Sequence, residues 1–162
     1  MKRTNFEGMN CSVARCLDVI GEWWTPLVLR DLFMGITRFD DFQGRLGIAR
    51  NILADRLNRL VETGVVEKVP YQERPRRFEY RLTEKGADLW RVLTAMREWG
   101  DRWEAPQGPS VQLVHRGCGH VASTSVVCNQ CGEPMDRRAV RLVRGPGATD
   151  DSILPARVSD EA

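Results

Sequence analysis

The chain has 162 residues, with 24 Lys and Arg against 22 Asp and Glu and a net charge of +2. That length holds one domain with an appendage or two small domains, and so slight a positive balance does not by itself mark a nucleic-acid binder. No apolar run approaches the roughly 20 residues a bilayer demands, and the stretch Met1 to Glu7 lacks the apolar segment of a signal peptide, so the expected location is the cytoplasm, with no membrane partner.

Taken in order, Val13, Cys16, Leu17 and Ile20 recur at helical spacing between Asn10, a candidate cap, and Gly21, a stop. A first helix is predicted there. Leu27, Val28, Leu29, Leu32 and Phe33 repeat the pattern from Trp24 to Met34, with Thr25-Pro26 as a helix start, because proline loses no hydrogen bond at the first helical position. Phe39, Phe42 and Leu46 predict a short third helix between Gly35 and Gly47. A fourth covers residues 49–60, where Leu53, Leu57 and Leu60 can face a core. That arrangement leaves Arg50, Asn51, Ala54, Asp55, Asn58 and Arg59 on or near the opposite side. Arg and Asn are the side chains whose paired polar groups match guanine and adenine edges in the major groove.

After the Gly64 stop, Val65–Val69 and Arg77–Leu82 are β-branched or aromatic runs, separated by a proline-bearing loop over residues 70–76. Arg74, Arg76 and Arg77 stand at or beside that tip, within reach of a phosphate or the minor groove. Residues 45–85 carry ten Lys and Arg against six Asp and Glu, a local excess of +4, whereas residues 105–162 carry six of each. The positive charge is thus concentrated on the helix and hairpin. Helix then basic hairpin is the order in which a winged helix-turn-helix meets DNA.

Thr83 is a candidate cap for a further helix. From Ala87 to Trp103 that helix carries Leu89, Trp90, Leu93, Met96, Trp99 and Trp103, a stripe too rich for one face of a small domain. The excess predicts a contact between two copies of the chain. Residues 105–110 read as a linker, and residues 145–162, with Gly-Pro-Gly and mixed acidic and small residues, as a flexible tail.

Between linker and tail, His115-Arg116-Gly117-Cys118-Gly119 and Cys128-Asn129-Gln130-Cys131-Gly132 share one design: a ligand, two spacers, a ligand and a glycine. That is the form of a zinc knuckle, in which the glycine lets the backbone turn its amides toward the sulfurs. His115, Cys118, Cys128 and Cys131 make the best tetrad for a structural Zn2+, with His120 as the competing fourth ligand. Val111–Val114, Thr124–Val127 and Ala139–Val143 are strand-like, so residues 111–144 are expected to form a zinc-ribbon-like β domain behind a mainly α winged helix-turn-helix domain over residues 1–104. So small a domain has little core and needs a metal or a docking surface.

From Cys11 to Trp103 the chain resembles the HxlR family of bacterial winged-helix transcriptional regulators. The resemblance is carried by Cys11-Ser12-Val13-Ala14, by Trp24-Thr25-Pro26-Leu27 through Leu32, by Arg38-Phe39-Asp40-Asp41-Phe42, by Arg50-Asn51-Ile52-Leu53, by Tyr71-Gln72-Glu73-Arg74-Pro75 through Gly86, and by Trp99-Gly100-Asp101-Arg102-Trp103. It implies a homodimer on a near-palindromic DNA operator, responsive to oxidants, electrophiles or a small ligand. It also implies Cys11 as a candidate redox sensor, at a helix start where the dipole favours a thiolate. Two positions depart from the family pattern: Ala49 stands where a small hydroxyl residue usually opens the reading helix, and Cys16 is an additional thiol.

No hydrolytic triad, phosphate-binding loop or catalytic carboxylate pair is present, so the chain does not read as an enzyme. Two other readings remain open on sequence: an adaptor that binds proteins through both modules, and a zinc enzyme with three tail ligands and one open position.

Overall fold

The computed structural model describes Phe6 and residues 8–149. Of the expected flexible tail, residues 150–162 lie outside the described residues. The chain divides into two compact units, one built on Phe6 and residues 12–93, the other on residues 8–11 and 94–149.

In the first unit the helices fall where apolar spacing places them: α1 (Ser12–Ile20), α2 (Thr25–Phe33), α3 (Phe39–Leu46) and α4 (Arg50–Glu62). One core gathers their inward faces. Val28, Leu29, Phe42, Leu53, Leu57 and Leu60 are completely buried there, joined by Ile20, Leu32, Ile48, Val65, Val66 and Tyr80. Each such side chain stabilises the fold by about 1.5–3 kcal/mol relative to exposure. Cys16 packs half-buried against the same cluster, as its helical position predicts.

A hairpin follows, β1 (Val66–Glu73) and β2 (Arg76–Leu82), antiparallel from Val66 opposite Leu82 to Glu73 opposite Arg76. The expected loop over residues 70–76 is therefore too long. The pairing continues through Pro70 and shifts register between Pro70 and Gln72, leaving Arg74 and Pro75 as the turn. Proline is tolerated because β1 is an edge strand. The far side of β2 is covered instead, where the Tyr80 amide donates to the Thr37 carbonyl at 2.8 Å and Arg38 bridges to Glu79.

The single helix expected after the hairpin is broken in two, α5 (Glu84–Asp88) and α6 (Trp90–Trp103). Thr83 caps α5, its hydroxyl accepting from the Gly86 amide at 3.2 Å. Gly86 is buried so close to β1 that a Cβ there would stand 2.1 Å from the Val65 carbonyl oxygen, so no larger residue fits. The break at Leu89 lets Leu89 and Leu93 pack on the core while Trp90 meets Phe33 edge-on, with ring centres 5.2 Å apart.

The second unit continues along α6 into a tail without regular strands among its described residues. The three expected strands are replaced by single bridges, Val114 with Val121 and Val127 with Pro134. No described residue from 105 to 149 is buried, which is why extended pairing finds no apolar face to rest on. Backbone hydrogen bonds shape this region instead. Residues 8–11 belong to the same unit: the Asn10 side-chain amide donates to the Gly147 carbonyl at 2.8 Å and to the Thr149 hydroxyl at 3.1 Å.

Candidate nucleic-acid interface and tail knuckles

Helices α3 and α4 are joined by a three-residue turn, in which Gly47 takes the left-handed conformation at φ 62° and Ile48 plugs the core. With Leu53, Leu57 and Leu60 turned inward, Arg50, Asn51, Asp55 and Asn58 are exposed and Ala54 is partly exposed. Arg50 is steered from α3. Its guanidinium lies 4.8 Å from the Phe39 ring centre and 3.5 Å from the Asp40 carboxylate, both contacts leaving the side chain mostly in solvent. Ala49 supplies no side-chain cap to α4, as the alanine at this place implies. Arg59 is placed less openly than the rest. It is half-buried, 3.7 Å from Glu62, and its Nε is buried without a hydrogen-bond partner.

Arg74, Arg76 and Arg77 are exposed at the hairpin tip, and the Gln72 side-chain amide donates to the Arg74 carbonyl across the turn at 3.1 Å. Two further cations belong to this surface and were not singled out by sequence reasoning. Arg38, exposed at the start of α3, lies over the Tyr71 ring at 4.6 Å, tying the helix-turn-helix to the hairpin. Lys68 lies over Phe78 at 4.5 Å. Alternation along β1 was the available signal for Lys68; nothing local in the sequence marks Arg38 as a neighbour of the hairpin.

Asp31 was also missed, since a lone acid on an apolar helix gives no warning of burial. It is completely buried and accepts from Arg30 at 2.8 and 3.0 Å and from Arg45 at 3.3 Å, locking α2 to α3. Removing one partner of such a buried group costs about 1–3 kcal/mol.

In the tail, the His115 amide donates to the His120 carbonyl at 2.9 Å and the Gly119 amide to the His115 carbonyl at 2.8 Å; the Cys128 amide likewise donates to Glu133 and the Gly132 amide to Cys128, both at 2.8 Å. Outside these, Ala122 donates to Leu113 and Met135 to Val126, again both at 2.8 Å. Gly119 and Gly132 take the left-handed φ, 72° and 77°, that closing such turns requires. His115 Nδ1 stands 3.3 Å from the Cys118 sulfur. The Cys128 thiol is drawn below its ordinary pKa by the backbone amides of Cys131 and then Gln130, with the Cys131 thiol adding to them. Each predicted ligand pair is thus brought together, His115 with Cys118 and Cys128 with Cys131. The four are not gathered: among the described residues no three His, Cys, Asp or Glu side chains form a group able to hold a metal ion.

Cys11 immediately precedes α1 and is half-buried, in the second compact unit. No helix among the described residues is long and apolar enough to cross a membrane.

Comparison with known proteins agrees with this geometry. Residues 19–108 match the model of the HxlR-like helix-turn-helix family. An uncharacterized HTH-type transcriptional regulator of Mycobacterium tuberculosis is 44% identical over 143 residues, 88% of this chain and 89% of that protein. The crystal structure of PA1607, described as a candidate transcription factor, superimposes with a TM-score of 0.74 at 46% identity, covering 84% of this chain and 96% of its own. The redox regulator HypR in its reduced form gives a TM-score of 0.53 at 33% identity, over 56% of this chain and 90% of its own.

Proposed function

The chain belongs to the HxlR-like helix-turn-helix family, a DNA-binding transcriptional regulator and not an enzyme, and from that premise we propose that it binds a near-palindromic operator as a homodimer. The observation that carries this reading is the exposed polar face of α4 beside an arginine-bearing wing, with Arg38 on Tyr71 joining the two. Arg50 and Asn51 read base edges, Ala54, Asn58 and Arg59 line the groove contact, and Arg74, Arg76 and Arg77 neutralise phosphates.

The dimer reading is supported along α6, where Val92, Met96, Trp99 and Trp103 follow one another at steps of four, three and four residues. Their exposures are 37%, 50%, 61% and 62%. That spacing is a coiled-coil seam, and leaving two indoles in water is costly unless a second copy covers them. Two-fold symmetry then sets the reading helices about 34 Å apart, one turn of DNA. Mapping genomic sites bound by the native protein tests the reading: inverted half-sites spaced by one turn are expected, and unpaired or sequence-independent sites overturn it.

The likeness to the redox regulator HypR, 33% identical over 56% of this chain, supports reading Cys11 as an oxidant sensor. Mild oxidant is expected to change operator affinity in the wild type and not in Cys11→Ser; an unchanged response in that variant moves sensing elsewhere.

The tail is read as a zinc-ribbon-like unit holding one Zn2+ through Cys118, Cys128, Cys131 and one of His115 or His120. The chemistry of each donor pair suits the ion, although the structure does not gather the two pairs. Bonds of about 2.1 Å to nitrogen and 2.3 Å to sulfur at a tetrahedral angle hold the two atoms roughly 3.6 Å apart, near the 3.3 Å between His115 Nδ1 and Cys118. Amides directed at the Cys128 sulfur also favour the thiolate a metal needs. Elemental analysis of protein prepared without chelator is expected to find about one zinc per chain, and none would overturn this part.

A further inference from the structure

Residues 113–122 and 126–135 are one backbone structure written twice, offset by 13 positions in every feature that defines it. Leu113–Ala122 corresponds to Val126–Met135, the Val114–Val121 bridge to Val127–Pro134, the His115–His120 bond to Cys128–Glu133, the Gly119–His115 bond to Gly132–Cys128, and the positive φ of Gly119 to that of Gly132. Nothing in the sequence similarity between the halves, beyond two ligands and a glycine, demands such correspondence. Superposing the halves equates His115 with Cys128, Cys118 with Cys131, and His120 with Glu133.

We propose, resting on the zinc reading above, that the tail is a duplicated knuckle whose two ligand pairs, not gathered in this structure, close around a single ion through His115, Cys118, Cys128 and Cys131, with His120 outside the site. Side-chain contacts follow the same correspondence, since His115 touches Cys118 as Cys128 touches Cys131. A second observation singles out His115. Its imidazole lies over Gly117, where a Cβ would meet ring carbon Cε1 at 2.9 Å and Nδ1 at 3.5 Å. The equivalent position in the second half is Gln130, beside the smaller Cys128. The first half thus pairs its bulkier ligand with a residue that has no side chain, and the imidazole lies against the backbone of its own turn. His120 instead contributes its carbonyl to the outer rung, as Glu133 does.

The first half is also fastened to α6 on both flanks: Arg97 donates to the Val111 carbonyl at 3.4 Å, and the Glu98 carboxylate accepts from both the amide and the hydroxyl of Thr124. An ion shared by the two halves therefore clasps the second knuckle to one that α6 already holds.

The test uses the full chain and reads zinc content together with the spectrum of the cobalt-substituted protein. His120→Ala is expected to keep full zinc and an unchanged cobalt spectrum. His115→Ala is expected to lose the ion, and His115→Cys to keep it with a stronger thiolate-to-cobalt band, since four sulfurs replace three. Gly117→Ala should weaken zinc by about tenfold or more, the scale seen when a ligand's orientation is disturbed, while Gln130→Ala should not. Retained zinc in His115→Ala with loss in His120→Ala overturns the assignment and leaves the zinc reading standing. A wild-type chain that takes up no zinc overturns both, and equal effects of Gly117→Ala and Gln130→Ala overturn the seating of the ring.

Discussion

The winged-helix unit and the tail are held together by opposite means. In the first, twelve side chains form a continuous buried cluster to which α1, α2, α3, α4 and the hairpin all contribute. In the second, no described residue from 105 to 149 is buried, and shape comes from backbone bonds closing two short turns. Burial is indifferent to direction and can lock large elements at once, whereas turn bonds fix only the few residues between them. The part that carries α4, the proposed reading helix, is built by the first means. The tail leaves His115, Cys118, Cys128 and Cys131, the proposed ligands, partly or fully exposed.

The contrast is broken most directly by deleting core atoms. Leu57→Ala is expected to cost about 2–5 kcal/mol of stability in chemical denaturation, whereas Val126→Ala, at a side chain 66% exposed, should stay within about 0.5 kcal/mol. Equal losses would mean the tail hides a core of its own. On the DNA face, Arg50→Ala or Asn51→Ala should cost about 1–3 kcal/mol of operator binding and relax base preference. Arg74→Ala or Arg76→Ala should weaken binding evenly across sequences and lower the salt slope by about 1. Titrations at several salt concentrations separate the two classes, and identical behaviour would dissolve the division between reader and wing.

Within the first unit, Thr83→Ala removes the cap of α5 and should lower stability by about 1 kcal/mol, measurable as a shifted unfolding midpoint. The smallest effect concerns Tyr80, whose hydroxyl is held above the ordinary tyrosine pKa by burial. Its folded value is raised, so the stability it contributes is complete below the ordinary value of about 10 and is lost as pH rises through the higher folded one. Tyr80→Phe should flatten that alkaline loss, and unfolding curves above pH 10 check it.

The sequence makes the first unit legible because its signals are local and redundant. Leucines at 53, 57 and 60 mark the buried face of α4, Gly64 ends it, and Thr83 marks the next start; all hold in the structure. What escaped reading there depends on contacts between elements or on strand register, which no local pattern marks: the burial of Asp31 against Arg45 of α3, the seat of Arg38 on Tyr71, and the pairing of Pro70 in an edge strand. In the tail the two knuckle turns were legible from their spacing and glycines while the strands were misread, because Val111–Val114 and Ala139–Val143 have strand composition and no buried face to use it on. The shared knuckle spacing was legible, but the full 13-residue correspondence was not, because the halves LVHRGCGHVA and VVCNQCGEPM are identical only at Val114/Val127, Cys118/Cys131 and Gly119/Gly132.

The uncapped start of α4 has a consequence of its own. With alanine at position 49, the first amides of the reading helix keep their hydrogens unspent by any side chain. The free protein forgoes about 1 kcal/mol that a serine there would supply. It retains in exchange a small positive pole at the start of α4, and, if that end meets the duplex as proposed, a backbone phosphate can accept the same hydrogens. Stability in isolation is traded for adhesion in the complex, so installing a serine at this one position should make the unbound regulator sturdier and its grip on DNA poorer.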